Sequence, residues 1–196
     1  LLGRRCIIGV DRLDYSKGLV DRFQAYERYM EACPDSHNHV TFLQIAPLSR
    51  ADLRTYAEIR RSLEQTAGRI NGRFAETDWT PIRYLNRNYS HEVLMGFLRN
   101  ADVGVVTPMR DGMNLVAKEF VAARDDEQGV LILSQFTGAA TELPEAVLIN
   151  PYNIDQCAAA MHLALTMAPT EQRARMRSMR GIVQEFNVYR WAGRML

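Results

Sequence analysis

Two segments of the sequence combine cations, acids and a helix start in a way that suits a phosphorylated ligand. The first is Gly9-Val10-Asp11-Arg12-Leu13-Asp14-Tyr15-Ser16-Lys17-Gly18-Leu19, where Arg12 and Lys17 stand five residues apart just ahead of a helical pattern. A guanidinium and an ammonium so placed can clamp a diphosphate, one as a planar fork and the other as a point charge. The same loop also reads as a solvated turn in which Asp11 and Asp14 neutralise the two cations. It is neither G-x-G-x-x-G nor the Walker pattern, which disfavours a dinucleotide dehydrogenase and a P-loop NTPase. The second segment is Thr107-Pro108-Met109-Arg110-Asp111-Gly112-Met113-Asn114-Leu115-Val116-Ala117-Lys118-Glu119. Asp111-Gly112 makes a turn, and Gly112 lets a ligand approach the backbone closely. The helix that follows opens with free amides at Asn114, Leu115 and Val116, and these, with the helix dipole, favour phosphate oxygens. Glu119 lies just over one turn in, where it can accept hydrogen bonds from a sugar diol. A capped helix carrying an ordinary surface glutamate is the plainer reading of the same residues.

Other segments offer less. Arg50 follows Ala46-Pro47-Leu48-Ser49 at a helix start, a place for an anion or for an exposed first-turn arginine. Ser134-Gln135-Phe136-Thr137-Gly138-Ala139-Ala140-Thr141-Glu142 has three small residues in a row, read as tight backbone packing. His37 and His39 form an H-x-H with no third ligand nearby in sequence, so they read as surface histidines and no metal is expected. Neither a G-x-S-x-G elbow nor a Cys-His pair argues for a hydrolase.

The elements that must position these loops follow from hydrophobic patterning. Strand-length apolar runs occur at 6–10, 40–45, 82–85, 103–106, 130–133 and 146–149. Most are continuous, as in strands buried on both faces of a parallel sheet. Between them, Leu19, Phe23, Tyr26, Met30 and Cys33 fall on one helix face. Residues 49–52 resemble a capping box ahead of Leu53, Tyr56, Arg60, Leu63 and Ala67. Ser90 can cap a short helix with Leu94 and Phe97, 114–124 contains no breaker, and Asn153 can cap a helix burying Ile154, Ala158, Met161 and Leu165. A last helix is expected over 170–186 with Met176, Met179, Val183 and Phe186 as its stripe. Alternating strands and helices predict an α/β three-layer, Rossmann-like domain with a mostly parallel six-stranded sheet, whose ligands sit beyond the carboxyl ends of the strands.

The 196 residues fit one domain over 1–196. With 47% apolar and 24% charged residues the composition is that of a soluble globular protein. The 24 Lys and Arg against 23 Asp and Glu leave a net charge of +1, which excludes a generally basic nucleic-acid coat. Six arginines among 171–196 read as a solvated helix face, and Asp125-Asp126-Glu127 as an exposed loop. No run approaches ~18 apolar residues, so neither a membrane span nor a membrane partner is expected. Leu1-Leu2-Gly3-Arg4-Arg5 has no initiator Met and no signal core. Three separated cysteines, Cys6, Cys33 and Cys157, read as reduced thiols in a cytoplasmic protein.

Several long strings resemble one family. The run at 9–19, Gln44-Ile45-Ala46-Pro47 with Ser49-Arg50, Gly68-Arg69-Ile70-Asn71-Gly72 with Trp79-Thr80-Pro81, the segment from Arg110 to Glu119, and Ser134 to Ala140 are similar to the motifs of the carboxyl-terminal half of the trehalose-6-phosphate synthases. The resemblance implies the donor-binding half of a retaining GT-B glycosyltransferase, with the amino-terminal acceptor half absent from this chain. It implies transfer of glucose from UDP-glucose to glucose 6-phosphate, giving α,α-trehalose 6-phosphate, with no cofactor. It assigns Arg12 and Lys17 to the donor diphosphate and the amides of Asn114, Leu115 and Val116, with Gly112 and Met113, to phosphates and sugar. Asp111 faces the donor glucose, Glu119 holds the ribose, Tyr89 and Leu94 lie near the uracil, and Arg50 reaches the acceptor phosphate. Arg12, Lys17 and Asp111 are the catalytic set it implies. Arg12 and Lys17 can stabilise charge on the departing diphosphate where other transferases use a metal, and the sequence holds no Asp-x-Asp. Partners are then the two substrates and the missing half, with a homo-oligomer allowed and no nucleic acid. Two alternatives share these residues: another GT-B enzyme with a different acceptor, and a catalytically silent nucleotide-sugar module that regulates a partner.

Overall fold

The computed structural model describes residues 3–47 and 54–185. Six strands form a single sheet: β1 (Arg5–Val10), β2 (Val40–Ile45), β3 (Ile82–Leu85), β4 (Val103–Val106), β5 (Val130–Ser134) and β6 (Val147–Ile149). Every strand pairing is parallel, so the sheet is more uniform than the mostly parallel one expected. Parallel strands need crossover connections, and α1 (Leu19–Ala32), α2 (Arg54–Phe74), α3 (His91–Asn100), α4 (Leu115–Ala123) and α5 (Ala139–Glu142) lie between successive strands, while α6 (Ile154–Thr166) follows β6. α7 (Pro169–Glu185) is the last described helix.

Strand residues alternate between two cores, as the two-residue period of a strand requires. Ile7, Phe42, Val103, Val105, Val130 and Ile132 face a layer built by α1, α2 and α6 through Phe23, Tyr26, Leu63, Ile70 and Met161. Cys6, Ile8, Leu43, Val106, Leu131 and Leu133 face the opposite layer, where α3, α4, α5 and α7 contribute Leu98, Phe120, Ala139, Met176 and Met179. Central strands such as β4 and β5, sandwiched this way, are buried throughout, whereas the edge strand β3 is only partly buried. Among the described residues no helix is long and apolar enough to cross a membrane.

Some sequence expectations shift. The capping box at 49–52 lies outside the described residues. Arg60, expected on the buried face of α2, is exposed and pairs with Glu64 at 2.7 Å, while Leu63 and Ala67 are buried as expected. Cys33 ends α1 as its cap residue rather than lying within it. His37 is not a plain surface histidine: it is half-buried, its Nε2 lies 2.9 Å from the Met30 carbonyl, and its ring stacks on Trp79. The arginines of α7 are partly tied down, Arg177 to Glu127 and Arg180 to the carbonyls of Val121 and Ala122 at the end of α4.

The strand order is β3-β2-β1-β4-β5-β6. The chain starts at the centre, builds outward through β2 and β3, then returns to the other side of β1 to lay down β4, β5 and β6. The direction of winding reverses between β1 and β4, and at such a switch point the loops leaving adjacent strands diverge and open a crevice. The loops after β1 and β4 are the two segments singled out by their chemistry.

Candidate functional site

The loop after β1 folds into a 3-10 turn at Tyr15–Lys17. Asp14 caps it, accepting from the Ser16 backbone amide at 2.8 Å and the Ser16 hydroxyl at 2.7 Å. Gly18 then takes φ 60°, a left-handed conformation that favours glycine. A side chain at 18 would also meet the Thr107 carbonyl at 3.0 Å. The turn therefore lies directly against the end of β4, and the Met109 amide donates to the Ser16 carbonyl at 2.8 Å.

Neither acid of this loop pairs with its cations. Asp14 is engaged in the cap, and Asp11 is buried and bonded to Arg22 at 2.6 Å. The solvated-turn reading, with Asp11 and Asp14 neutralising the cations, holds only at longer range: burial raises the Asp14 carboxyl, and the Ser16 hydrogen bonds with the charges of Lys17 and Arg12 hold it below its usual range. Arg12 is exposed and has no ion pair among the described residues. Lys17 crosses the crevice to Asp111, its Nζ 2.6 Å from the carboxylate oxygen, with both side chains largely buried at 14% and 19% exposure.

Asn114 organises the opposite wall. It sits at φ 66°, a conformation Asn tolerates better than most residues, and caps α4 by accepting from the Ala117 amide at 3.1 Å. Its Nδ2 donates to Asp111 at 3.1 Å. Burial raises the Asp111 carboxyl, but the Lys17 ammonium, the Asn114 amide and the Met113 backbone N–H outweigh it and hold the group below the usual carboxylate range. Asp111 is therefore an anion at neutral pH. The cap takes the third helical amide, which leaves those of Leu115 and Val116 without intrahelical acceptors. Met113 and Leu115 are exposed beside them, at 50% and 60%.

The small-residue loop after β5 supports this wall from behind. Asp111 and Thr137 form an isolated parallel bridge, and the Gly138 amide donates to the Asp111 carbonyl at 3.2 Å. A Cβ on Gly138 would lie 2.1 Å from the Gly112 carbonyl oxygen, whereas one on Gly112 would meet open space. The expected tight packing is thus backbone against backbone, and the free face of Gly112 is left to the crevice. Gly138→Ala should cost about 1–3 kcal/mol through overpacking, read as a lower thermal midpoint. A midpoint equal to the parent's would show that the Asp111–Asn114 loop yields freely.

Glu119 is half-buried on α4, and among the described residues it has no ion pair, whereas its neighbour Lys118 is paired to Glu142 at 2.7 Å. Tyr89, Leu94 and Val116 all flank the apolar layer on the α3–α4 side of the sheet. The Tyr89 ring is fixed edge-on to Phe97 and covered by the Arg87 guanidinium at 4.7 Å, and its hydroxyl accepts from Arg87 Nε at 2.8 Å. Arg50 lies outside the described residues.

Sequence reasoning missed two partnerships. Arg22 sits three residues after Leu19 and one before Phe23, and its 2% exposure places it inside the stripe that Leu19, Phe23 and Tyr26 define. A charged residue in an apolar helix slot was the available signal. Cys33 and His162 approach to 3.3 Å although 129 residues apart, a Cys-His contact that spacing does not reveal. It lies at the far end of α1 from Gly18, roughly 20 Å of helix away from the crevice.

A parallel doubly wound sheet with cations and helix amides at its switch point is the architecture of the Rossmann-like α/β domains, which place their ligands there. The particular family comes from comparison with known proteins. The profile of glycosyltransferase family 20 matches residues 2–196, and the chain belongs to that family. A trehalose-6-phosphate synthase of Klebsiella pneumoniae is 51% identical over 191 residues, 97% of this chain and 40% of that protein. A solved α,α-trehalose-phosphate synthase (UDP-forming) from Burkholderia xenovorans, in complex with glucose-6-phosphate, superposes with a TM-score of 0.97 at 53% identity, covering 99% of this chain and 43% of the other. An Escherichia coli structure bound with UDP-2-fluoro glucose gives 0.95 at 49% identity, covering 97% and 42%. This chain spans about 40% of the length of the curated relatives it matches.

Proposed function

We propose that residues 1–196 form the donor-binding half of a retaining glucosyltransferase that moves glucose from UDP-glucose to glucose 6-phosphate, giving α,α-trehalose 6-phosphate and UDP. The observation that carries this reading is the Lys17–Asp111 contact of 2.6 Å across the switch-point crevice. It joins a cation-bearing loop to a helix start with open amides. That is the combination needed to hold a diphosphate beside a sugar. Family membership and the substrate-bound relatives support it.

In this reading Arg12 and Lys17 take the diphosphate and stabilise the charge that develops as UDP leaves. The open amides of Leu115 and Val116 add donors at the positive end of α4. Lys17 is shared between Asp111 and phosphate, which leaves the Asp111 carboxylate free to accept from glucose hydroxyls. Tyr89, Leu94 and Val116 form the wall for the base, Glu119 accepts from the ribose diol, and Arg50 reaches for the acceptor phosphate. An amino-terminal half supplies the rest of the acceptor pocket. The compartment we infer is the cytoplasm, on the ground of cysteines that form no disulfide. Arg12 and Lys17 supply the positive charge that a divalent ion supplies in other transferases, and with no Asp-x-Asp in the sequence UDP binding is expected to need no metal.

Calorimetry of UDP binding with and without EDTA tests the core of the reading. The expected result is saturable binding that chelation leaves unchanged. Loss of affinity on chelation would overturn the metal-independent clamp, and absence of UDP binding would overturn the donor site. A second titration isolates Glu119, comparing UDP with its 2′-deoxy form. Glu119→Gln keeps one acceptor and should retain more of the discrimination than Glu119→Ala. Equal discrimination by the parent and both variants would remove Glu119 from the ribose site.

A further inference from the structure

We propose that Arg22 is a positioning residue for the diphosphate clamp: buried under the β1–α1 loop, its guanidinium bolts three strand ends together and sets where Lys17 stands. The inference rests on the diphosphate reading above and deepens it.

The guanidinium is fully buried. Its Nη1 donates to Asp11 at 2.6 Å and to Gln44 Oε1 at 3.0 Å, its Nε donates to the Thr107 hydroxyl at 2.8 Å, and its Nη2 reaches the Lys17 carbonyl at 3.5 Å. Asp11 follows the last residue of β1, Gln44 is the next-to-last residue of β2, and Thr107 follows the last residue of β4. One side chain thus spans both sides of the β1/β4 switch point and touches the loop that carries the ammonium. Thr107 is a shared node, because its carbonyl also packs against Gly18, the residue that ends the Lys17 turn.

The backbone makes room for this fork. Gly9 pairs with Gln44 across β1 and β2, and a Cβ at 9 would lie 2.5 Å from Gln44 Oε1 and 2.6 Å from Arg22 Nη1. Asp11 is held in the same place: burial pushes its carboxyl up, and the Arg22 charge and hydrogen bond oppose that.

Stability is a weak reason to build such a cluster. A buried ion pair is often matched or bettered by apolar residues of similar volume. What a guanidinium adds is geometry, since its donors are fixed in one plane and satisfy several partners at once, which a lysine ammonium on a flexible stem does not. Lys17 must meet both Asp111 and a phosphate, so displacing its loop by even part of an ångström costs binding at that one point and not at the base.

The test compares UDP with UMP, which lacks the terminal phosphate, by calorimetry well below each variant's melting midpoint. For Arg22→Lys the expected result is about a tenfold loss of UDP affinity with less than a twofold change for UMP. Thr107→Val, which removes only the acceptor of Nε, should lose UDP affinity about threefold with UMP again unchanged, and Thr107→Ser should recover the ratio. A merely structural Arg22 would lower the melting midpoint and leave the UDP-to-UMP ratio at the parent value, and that result overturns the proposal. Should Arg22→Lys fail to fold, the Thr107 pair decides on the same ratio. A parent chain that binds UDP no better than UMP is a different failure. It sinks the diphosphate site itself and this inference with it.

Discussion

Replacing Lys17 by alanine should weaken UDP binding by about 1.5–3 kcal/mol, roughly 10- to 150-fold, the scale of a hydrogen bond to a charged group. The Lys17 side chain is 14% exposed, so solvent screens its charge less than that of a surface lysine. Its alignment is fixed from two sides, by the αL turn at Gly18 and by the Met109-to-Ser16 backbone bond. Pre-positioned charge of this kind needs no reorganisation when a phosphate binds. The substitution leaves the opposite wall standing, because Asp111 keeps the Asn114 amide and the Met113 N–H. The loss therefore reports on the cation and not on a collapsed loop. Arg12→Ala should cost less, since that guanidinium is exposed and water screens it. Its contribution should also fade first as salt is added. Isothermal titration of both variants at two salt concentrations checks the order. Parent affinity in Lys17→Ala would reduce the β1–α1 loop to scaffold.

The sheet and the Lys17 clamp are unequally legible in the sequence. All six strands could be read, because central parallel strands are apolar on both faces and a continuous run such as Val103–Val106 has few other interpretations. The caps at Ser90 and Asn153 followed from local spacing, since a side chain reaching an amide three residues on needs no tertiary partner, whereas Asn114 reads as a free amide at the helix start and is the cap of α4. What the sequence did not reveal lies in contacts between distant segments. Lys17 and Asp111 are 94 residues apart, and the choice of Asp11 for Arg22 over the nearer Arg12 depends on which strand face each side chain leaves from. Arg12 follows Asp11 directly and points to the other side of the chain, so proximity in sequence was misleading there. Gly138 was readable as a small residue but not as the one on which the Gly112 carbonyl rests. The site residues Tyr89 and Leu94 came from the family resemblance, and the fold adds that both, like Val116, pack against the apolar layer on one side of the sheet.

The base wall, the clamp and the open amides all belong to this one domain, and on the proposed reading this sets the largest expected effect. The 196-residue chain by itself should transfer no glucose from UDP-glucose to glucose 6-phosphate at a useful rate. Holding a second reactant in line and excluding water can supply roughly 7–11 kcal/mol of a barrier. On the proposed reading, this chain grips only the donor. The chain spans about 40% of the length of relatives that carry the synthase name. Arg50 would give the acceptor one charged contact, worth about 1.5–3 kcal/mol if hydrogen-bonded to phosphate, far short of what orienting a hydroxyl at the anomeric carbon requires. Donor binding should nevertheless survive, because the clamp, its Arg22 support and the base wall are all internal to this sheet. The two measurements therefore separate: calorimetry with UDP should succeed where formation of trehalose 6-phosphate fails. Adding the amino-terminal portion of a relative such as the Klebsiella pneumoniae synthase should restore turnover to the extent that the two pieces pair. Robust transfer by the 196 residues alone would mean that the acceptor is oriented entirely within this domain, and the half-enzyme reading would fall while the donor site stood.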